Sequence, residues 1–214
     1  MMMITAFRLS LQVTINVKFN HKKKGTYTMN YIDPKITIWC DMDGVIAVYE
    51  SDGFQGDNPP FLTPNSHYFR HCTPDDRIIQ ALKLLHEIYH VKIKIISNVA
   101  PELKTEHTND KEKWLKKHLP FLNTDDDFKA ITVPKVDYVK KIKKTKALTS
   151  KDVLISDFNN DLKPWSTAGG TTIKYANGIN NPHSHDGYHI PETATTKQIA
   201  NQLIDILYEI SKNN

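Results

Sequence analysis

Short runs of β-branched and aliphatic residues alternate along this chain with segments of helical character. Five such runs predict β-strands, at residues 35–40, 91–96, 130–133, 153–156 and 171–175. Helices are predicted between and after them, including short ones at residues 109–118 and 137–144. Strands that alternate with helices favour a parallel sheet covered on both faces. The pattern therefore predicts an α/β fold with a Rossmann-like, mostly parallel sheet flanked by helices.

Two of the predicted helices have recognisable first turns. In the segment 73–76, Thr73 is predicted as the N-cap and Pro74 as the first helical residue. Apolar residues at helical spacing follow, namely Ile78, Ile79, Leu82, Leu85 and Ile88. The last helix is predicted to begin near Thr195, with an apolar stripe of Ile199, Leu203, Ile206, Leu207 and Ile210.

The composition narrows the class of protein. No stretch approaches the roughly 18 uninterrupted apolar residues that cross a membrane, so an integral membrane protein is not expected. The two cysteines, Cys40 and Cys72, are too few for a disulfide framework. This scarcity favours a reducing, cytoplasmic location.

The net charge of +4 is carried by the first part of the chain. Residues 1–28 contain five basic residues and no acid, which favours a nucleic-acid-binding arm as one interpretation. Translated leader sequence is the other. Codons for Lys23, Lys24 and Gly25 can spell a purine-rich ribosome-binding site shortly before Met29. We therefore expect Met29 to be the natural start and residues 1–28 to be a poorly ordered or non-native extension. The remaining residues, 29–214, are expected to form the folded core.

Polar side chains follow several of the predicted strands at the point where each strand ends. In chain order they are Asp41, Asp43, Ser97, Asn98, Asp157 and Asp161. Because ligands of open α/β sheets bind beyond the carboxyl ends of the strands, these side chains are expected to lie close together. An Asp-x-Asp-Gly segment also occurs in surface turns and calcium loops. Here it follows an apolar strand and lacks the later acids of an EF-hand loop.

In this order the strand-end motifs resemble those of the haloacid dehalogenase superfamily of phosphohydrolases, over about residues 35–176. The matching pieces are a strand before Asp41-Met42-Asp43-Gly44-Val45, a strand before Ser97, a lysine, and a strand before Ser156-Asp157 with Asp161. Within the superfamily the chain is similar to the 5′(3′)-deoxyribonucleotidase branch and its bacterial and phage relatives. This narrower similarity rests on His67-Tyr68-Phe69-Arg70, residues 113–120, Asn160-Asp161-Leu162, Trp165 and Ala168-Gly169-Gly170-Thr171.

The two aspartates of the first motif have distinct predicted roles. A phosphate monoester is anionic and repels a carboxylate, so attack by a carboxylate needs a divalent cation. Asp41 is the predicted nucleophile, which forms an aspartyl-phosphate, and Asp43 is the predicted general acid and base. Mg²⁺ is expected between Asp41, the carbonyl of Asp43 and Asp157, which all supply hard oxygen ligands.

Three further residues complete the predicted site. Ser97 is expected to hydrogen-bond a phosphoryl oxygen, and Lys135 to balance the transferred charge, with Lys140 as the alternative lysine. The resembled branch usually carries two adjacent acids in its fourth motif, whereas this chain has Ser156 at the first position. Asp161 is therefore the candidate for the compensating acid and for a further metal ligand.

Residues 49–72 are rich in loop-forming residues and occupy the position of the family's first cap insertion. We predict that they cover the site as a small cap. Their aromatic side chains either stack a nucleobase or seal the segment onto the sheet, and both interpretations stay open. Candidate substrate contacts are Phe61, His67, Tyr68, Phe69, Arg70 and Asn98.

The sequence thus predicts a Mg²⁺-dependent phosphatase for a small phosphorylated substrate, with nucleoside monophosphates as the leading class. The alternatives are another small phosphate ester, a nucleic-acid end, or a catalytically silent nucleotide-binding protein. No membrane partner is expected, and a nucleic-acid partner would depend on residues 1–28 alone. Three histidines, His183, His185 and His189, suggest either a zinc site or a surface loop, and their spacing favours the loop.

Overall fold

The computed structural model describes residues 20–23, 26–28, 31–48, 60–180 and 185–213. Two short antiparallel strands, β1 (Asn20–Lys23) and β2 (Thr26–Thr28), form a sheet of their own. The main sheet has six strands: β3 (Thr37–Cys40), β4 (Lys92–Asn98), β5 (Phe128–Ile131), β6 (Asp152–Ser156), β7 (Thr171–Tyr175) and β8 (Tyr188–Ile190).

The main sheet has the strand order β5-β4-β3-β6-β7-β8, and all its neighbouring strands are parallel. The predicted α/β fold with a parallel sheet is therefore confirmed. Strand β3 lies between β4 and β6, so three of the polar strand ends predicted from the sequence are adjacent.

Seven α-helices are described along the chain. They are α1 (Tyr68–His71), α2 (Asp76–Tyr89), α3 (Lys104–His118), α4 (Thr124–Asp127), α5 (Lys135–Lys143), α6 (Asn159–Thr167) and α7 (Thr196–Lys212). Among the described residues, no helix is both long and apolar enough to cross a membrane.

The two faces of the sheet bury separate apolar clusters because side chains alternate along each strand. Ile38 and Cys40 of β3 join the cluster that contains the buried faces of α2, α3 and α7. Trp39, between them, packs with Trp165 in the cluster that contains α5 and α6. Each strand of the sheet centre thus contacts helices on both sides, as the continuous apolar runs indicate.

Several element boundaries differ from those predicted. Helix α2 is capped by Asp75, whose side chain accepts a hydrogen bond from the Arg77 backbone, so the predicted cap at Thr73 is wrong. Helix α3 starts at Lys104, well before the predicted residues 109 or 110. The last helix begins as predicted, with Thr195 as the N-cap of a capping box.

The segments predicted to be peripheral are described only in part. Of the proposed cap, residues 49–59 lie outside the described residues, and residues 60–71 form a 3₁₀ turn followed by α1. Much of the proposed extension, residues 1–28, also lies outside them, so its non-native origin stays a prediction. Of the three histidines, His183 lies outside the described residues, and His189 is part of strand β8 rather than of a loop.

Candidate active site

Asp41 follows β3 directly and is 5 % exposed. Its Oδ2 accepts hydrogen bonds from Lys135 Nζ at 2.7 Å and Ser156 Oγ at 3.1 Å, and its Oδ1 accepts one from the Met42 backbone at 2.8 Å. Met42 is fully buried in the core, so the chain turns its two flanking aspartates towards the polar strand ends. Asp41 is therefore a buried carboxylate with a fixed orientation.

Burial raises the pKa of Asp41 to about 6. The ammonium of Lys135 opposes this rise, and the negative charges of Asp161, Asp43 and Asp157 add to it. The carboxyl group thus holds its proton to a higher pH than an exposed aspartate does.

Lys135 is the first residue of α5 and is 3 % exposed. Its ammonium also binds Asp161 Oδ2 at 2.5 Å, so one lysine joins the end of β3 to the first turn of α6 through two carboxylates. Burial alone would lower the pKa of Lys135, but the charges of Asp41 and Asp161 outweigh it and raise that pKa. The ammonium is therefore charged and able to balance negative charge at Asp41.

Asp43 has a lysine of its own. Lys111, from α3, donates to Asp43 Oδ1 at 2.7 Å and Oδ2 at 2.5 Å. Ser97 Oγ donates to Asp43 Oδ2 at 3.2 Å and accepts from Lys111 Nζ at 3.0 Å. The structure thus brings the predicted phosphate-binding serine and the predicted acid–base group together.

Asp157 follows β6 and is 7 % exposed. Its Oδ2 accepts hydrogen bonds from the side-chain amides of Asn177 at 2.8 Å and Asn180 at 2.7 Å. Burial raises the pKa of Asp157, and these two hydrogen bonds oppose the rise. Lys174, fully buried in β7, donates to the Asp157 backbone carbonyl and so holds the backbone that follows β6 in place.

Gly44 lies against Asp157. Its φ is +74°, a conformation that favours glycine, and a Cβ at this position would lie 2.3 Å from Asp157 Oδ2. The loop after β3 therefore approaches the end of β6 as closely as it does because residue 44 has no side chain.

Ser156 holds the position where the resembled branch carries an acid. Its hydroxyl donates to Asp41 Oδ2 at 3.1 Å and accepts from the Phe158 backbone at 3.1 Å. Asp161, the predicted compensating acid, lies in the first turn of α6 and binds Lys135. Ser156 thus gives Asp41 a neutral hydrogen bond where an acid would add a further negative charge.

The candidate substrate contacts fall into two groups. Phe61, Tyr68 and Phe69 form an aromatic cluster with ring centroids 5.2–6.5 Å apart. Phe69 is 4 % exposed, and Lys111 Nζ lies 3.6 Å from its ring centroid. Phe61 and Tyr68 are only partly buried, so they are the accessible members of the cluster.

The polar candidates contact protein groups in this structure. Arg70 Nε donates to Asp110 Oδ1 at 2.6 Å, and His67 Nδ1 lies 3.2 Å from Asp110 Oδ2. Asn98 donates its amide to the Val133 carbonyl at 3.1 Å, which connects β4 to the loop before Lys135.

Two sets of side chains are relevant to a cation. Among the described residues, His67, Glu106 and Asp110 have ligand atoms within 4.8 Å of one another. Asp110 is already paired with the Arg70 guanidinium, which opposes a second cation there.

The second set lies at the strand ends. It has four carboxylates, Asp41, Asp43, Asp157 and Asp161, against three ammonium groups, Lys111, Lys135 and Lys174. The excess of carboxylates repels an anionic ester. A hard divalent cation held by carboxylate oxygens would offset this repulsion.

Sequence reasoning missed Lys111 and the two asparagines. Asn177 follows β7 by two residues, so the strand-end rule that identified Asp157 applies equally to it. Lys111 lies one helical turn before the buried Trp114 and Leu115, and this spacing places it on the same face of α3.

Comparison with known proteins identifies solved structures of similar fold. A scan against protein-family models finds no match, and neither does a search of curated proteins. A haloacid dehalogenase-like hydrolase from Xanthomonas campestris has a TM-score of 0.55 at 8 % identity and covers 83 % of this chain and 98 % of that one.

Two heptose bisphosphate phosphatases have the same fold. The one from B. bronchiseptica, complexed with magnesium and phosphate, has a TM-score of 0.51 at 15 % identity over 79 % of this chain and 98 % of its own. The one from Burkholderia thailandensis has a TM-score of 0.52 at 9 % identity over 79 % and 98 %. The chain thus has the α/β fold of haloacid dehalogenase-like hydrolases, while similarity to the deoxyribonucleotidase branch stays a prediction.

Proposed function

We propose that this protein is a Mg²⁺-dependent phosphatase that acts through an aspartyl-phosphate on nucleoside monophosphates. The observation that best supports this is the buried Asp41, held by Lys135 at the carboxyl end of the central strand, with Asp43 two residues on. Two carboxylates with separate cationic partners in one site suit two different roles, a nucleophile and a proton carrier.

Asp41 is the proposed nucleophile. One of its oxygens attacks phosphorus, so an acyl phosphate forms at Asp41 while the bond from phosphorus to the substrate oxygen breaks. Lys135, 2.7 Å from Oδ2, balances the charge at the reacting carboxylate. Ser156 and the Met42 backbone hold the carboxylate in place, which lowers the cost of orienting it.

Asp43 is the proposed acid and base. Its proton passes to the leaving oxygen in the first step. In the second step it takes a proton from the water that attacks the aspartyl-phosphate, and phosphate and free Asp41 are released. Ser97, whose hydroxyl donates to Asp43 at 3.2 Å, is the proposed phosphate-binding residue, and its one hydroxyl proton turns from Asp43 to a phosphoryl oxygen when the ester binds.

Asp41, Asp157 and the backbone carbonyl of Asp43 are the groups proposed to hold Mg²⁺, with Asp161 next to them. When bound, the cation neutralises the phosphate and so permits attack by a carboxylate. Asn177 and Asn180 hold Asp157 in one orientation, as hydrogen-bonded partners of metal-ligating carboxylates do.

The aromatic side chains of the cap segment, residues 60–71, support a nucleotide as the substrate class. Phe61 and Tyr68, partly buried and 6.2 Å apart, lie next to Phe69, which contacts Lys111 and through it the Asp43 carboxylate. A leaving alcohol protonated by Asp43 therefore extends towards aromatic faces. A nucleoside offers a flat base for them, whereas a simple sugar offers none.

A phosphate-release screen tests the proposal. The panel contains ribo- and deoxyribonucleoside monophosphates, sugar mono- and bisphosphates and an aryl phosphate, each with Mg²⁺ and with chelator. We expect Mg²⁺-dependent release, highest for nucleotides. Preferential release from sugar phosphates would contradict the substrate class, and nucleotide binding without release from any ester would favour a catalytically silent binding protein.

A further inference from the structure

Lys111 has a fully buried side chain whose ammonium group lies between Asp43 and the cap segment, residues 60–71. It contacts both carboxylate oxygens of Asp43, the hydroxyl of Ser97 and the face of the Phe69 ring. A buried ammonium is costly unless it is paired, and here one carboxylate supplies the charge while the hydroxyl and the ring supply further contacts. Lys111 therefore depends on Asp43 for its stability in the fold.

Exposure differs sharply between the two partners. The Lys111 side chain is 0 % exposed, whereas the Asp43 side chain is 25 % exposed. The ammonium thus holds the carboxylate from the protein side and leaves it open on the solvent side. A group so enclosed does not reach a substrate directly, which favours a role exerted through Asp43.

The same face of α3 fastens the cap segment. Next to Lys111, Asp110 binds Arg70, and one turn earlier His107 Nε2 lies 2.9 Å from the Phe61 carbonyl oxygen. Glu106 accepts a hydrogen bond from the backbone of Asn65 at 2.9 Å. Lys111 therefore connects the cap segment, through Phe69, to the Asp43 carboxylate.

We propose that Lys111 is a positioning residue that holds Asp43 in the orientation for proton exchange and couples this orientation to the cap segment through Phe69. The inference rests on the proposed phosphatase function. Contact with both oxygens suits the two half-reactions. When one oxygen carries the proton, the other still accepts from Lys111, so the orientation persists while the proton moves to the leaving oxygen or returns from water.

The activity test uses Lys111→Met, with Lys113→Met as the matched control because Lys113 is exposed on the same helix. One substrate is p-nitrophenyl phosphate, whose phenolate leaves without being protonated. The other is a nucleoside monophosphate, whose alkoxide leaving group needs a proton. The comparison uses kcat/KM, which reports phosphoryl transfer to Asp41 alone and not the later hydrolysis that both esters share. We expect kcat/KM to fall roughly 10²-fold for the nucleotide and less than about 10-fold for the aryl ester. Equal losses of kcat/KM on both esters, or no loss, would overturn the proposal.

Thermal unfolding tests the pair without relying on turnover. Asp43→Asn leaves the buried ammonium without a charged partner, whereas Lys111→Met leaves a carboxylate that water reaches. We expect Asp43→Asn to lower Tm more than Lys111→Met does, and the double variant to recover part of the loss. Additive effects would contradict the coupling. If Lys111→Met does not fold, Lys111→Gln takes its place, and if the unmodified enzyme hydrolyses neither ester, only the phosphatase function fails.

Discussion

The floor of the site consists of Asp41, Ser97, Lys135, Ser156, Asp157 and Asp161. Its cap side consists of Asp43, Lys111 and four residues of the cap segment, Phe61, Tyr68, Phe69 and Arg70. The floor is built at the carboxyl ends of parallel strands and is fixed by the pairing of the sheet. The cap side depends on the packing of α1 against α3, two helices that are distant in the chain. In the proposed mechanism, the floor acts on the phosphoryl group that all phosphate esters share, and the cap side acts on the leaving group.

This contrast is tested most strongly at the nucleophile. Asp41→Asn should lower kcat by at least about 10³-fold for every ester, because an amide does not attack phosphorus. Phosphate release from an aryl and a nucleotide ester measures the loss, with the exposed Asp137→Asn as control. Activity near the parent level would refute the mechanism.

The floor also predicts an order among its acids. Asp157→Ala should weaken Mg²⁺ binding by about 100-fold or more, and Asp161→Ala by about 10-fold, because Asp161 acts through Lys135. Isothermal titration calorimetry with Mg²⁺ measures both. A larger loss in Asp161→Ala would exchange the two assignments.

The pH dependence of the floor follows from Asp41. Burial raises the pKa of Asp41 to about 6 in the metal-free protein, so below that pH the carboxyl is neutral and competes poorly for a cation. Mg²⁺ affinity should be constant above about pH 7 and fall up to about tenfold per pH unit below 6. Calorimetry from pH 5 to 8 tests this, and the Asp41→Asn variant should bind weakly without that pH dependence.

The smallest expected effect concerns the cap side. Phe61→Ala and Tyr68→Ala should each raise KM for a nucleotide by about fivefold, the equivalent of about 1 kcal/mol of stacking. Hydrolysis of a small aryl phosphate should change less, and Leu62→Ala, exposed beside Phe61, is the control. Unchanged KM in both variants would reduce the cap segment to a cover.

The floor could be predicted because its signals are local. Apolar β-branched runs mark the strands, parallel pairing brings their ends together, and Asp41, Ser97 and Asp157 each stand at such an end. The same rule, applied to β7, would have included Asn177. The roles assigned to these residues stay predictions, and the structure contributes their contacts.

The cap side was harder to predict because its contacts join distant segments. Lys111 lies in a helix with many charged residues, and its burial depends on Phe69, 42 positions away. The helix cap at Asp75 has a similar cause, since Asp75 also accepts from Tyr175 at 2.6 Å, a tertiary partner that local propensity does not reveal. Periodicity predicts which face of a helix is buried, but it does not identify the partner.

The two bonds of Lys135 have a thermodynamic consequence. They join residues 94 and 26 positions apart in the chain, so the junction exists only after β3, α5 and α6 have come together. A ligand that binds this junction binds the folded chain and not the unfolded one. Inorganic phosphate with Mg²⁺ should therefore raise the unfolding temperature of the whole sheet by mass action, with the stabilisation growing as the logarithm of ligand concentration.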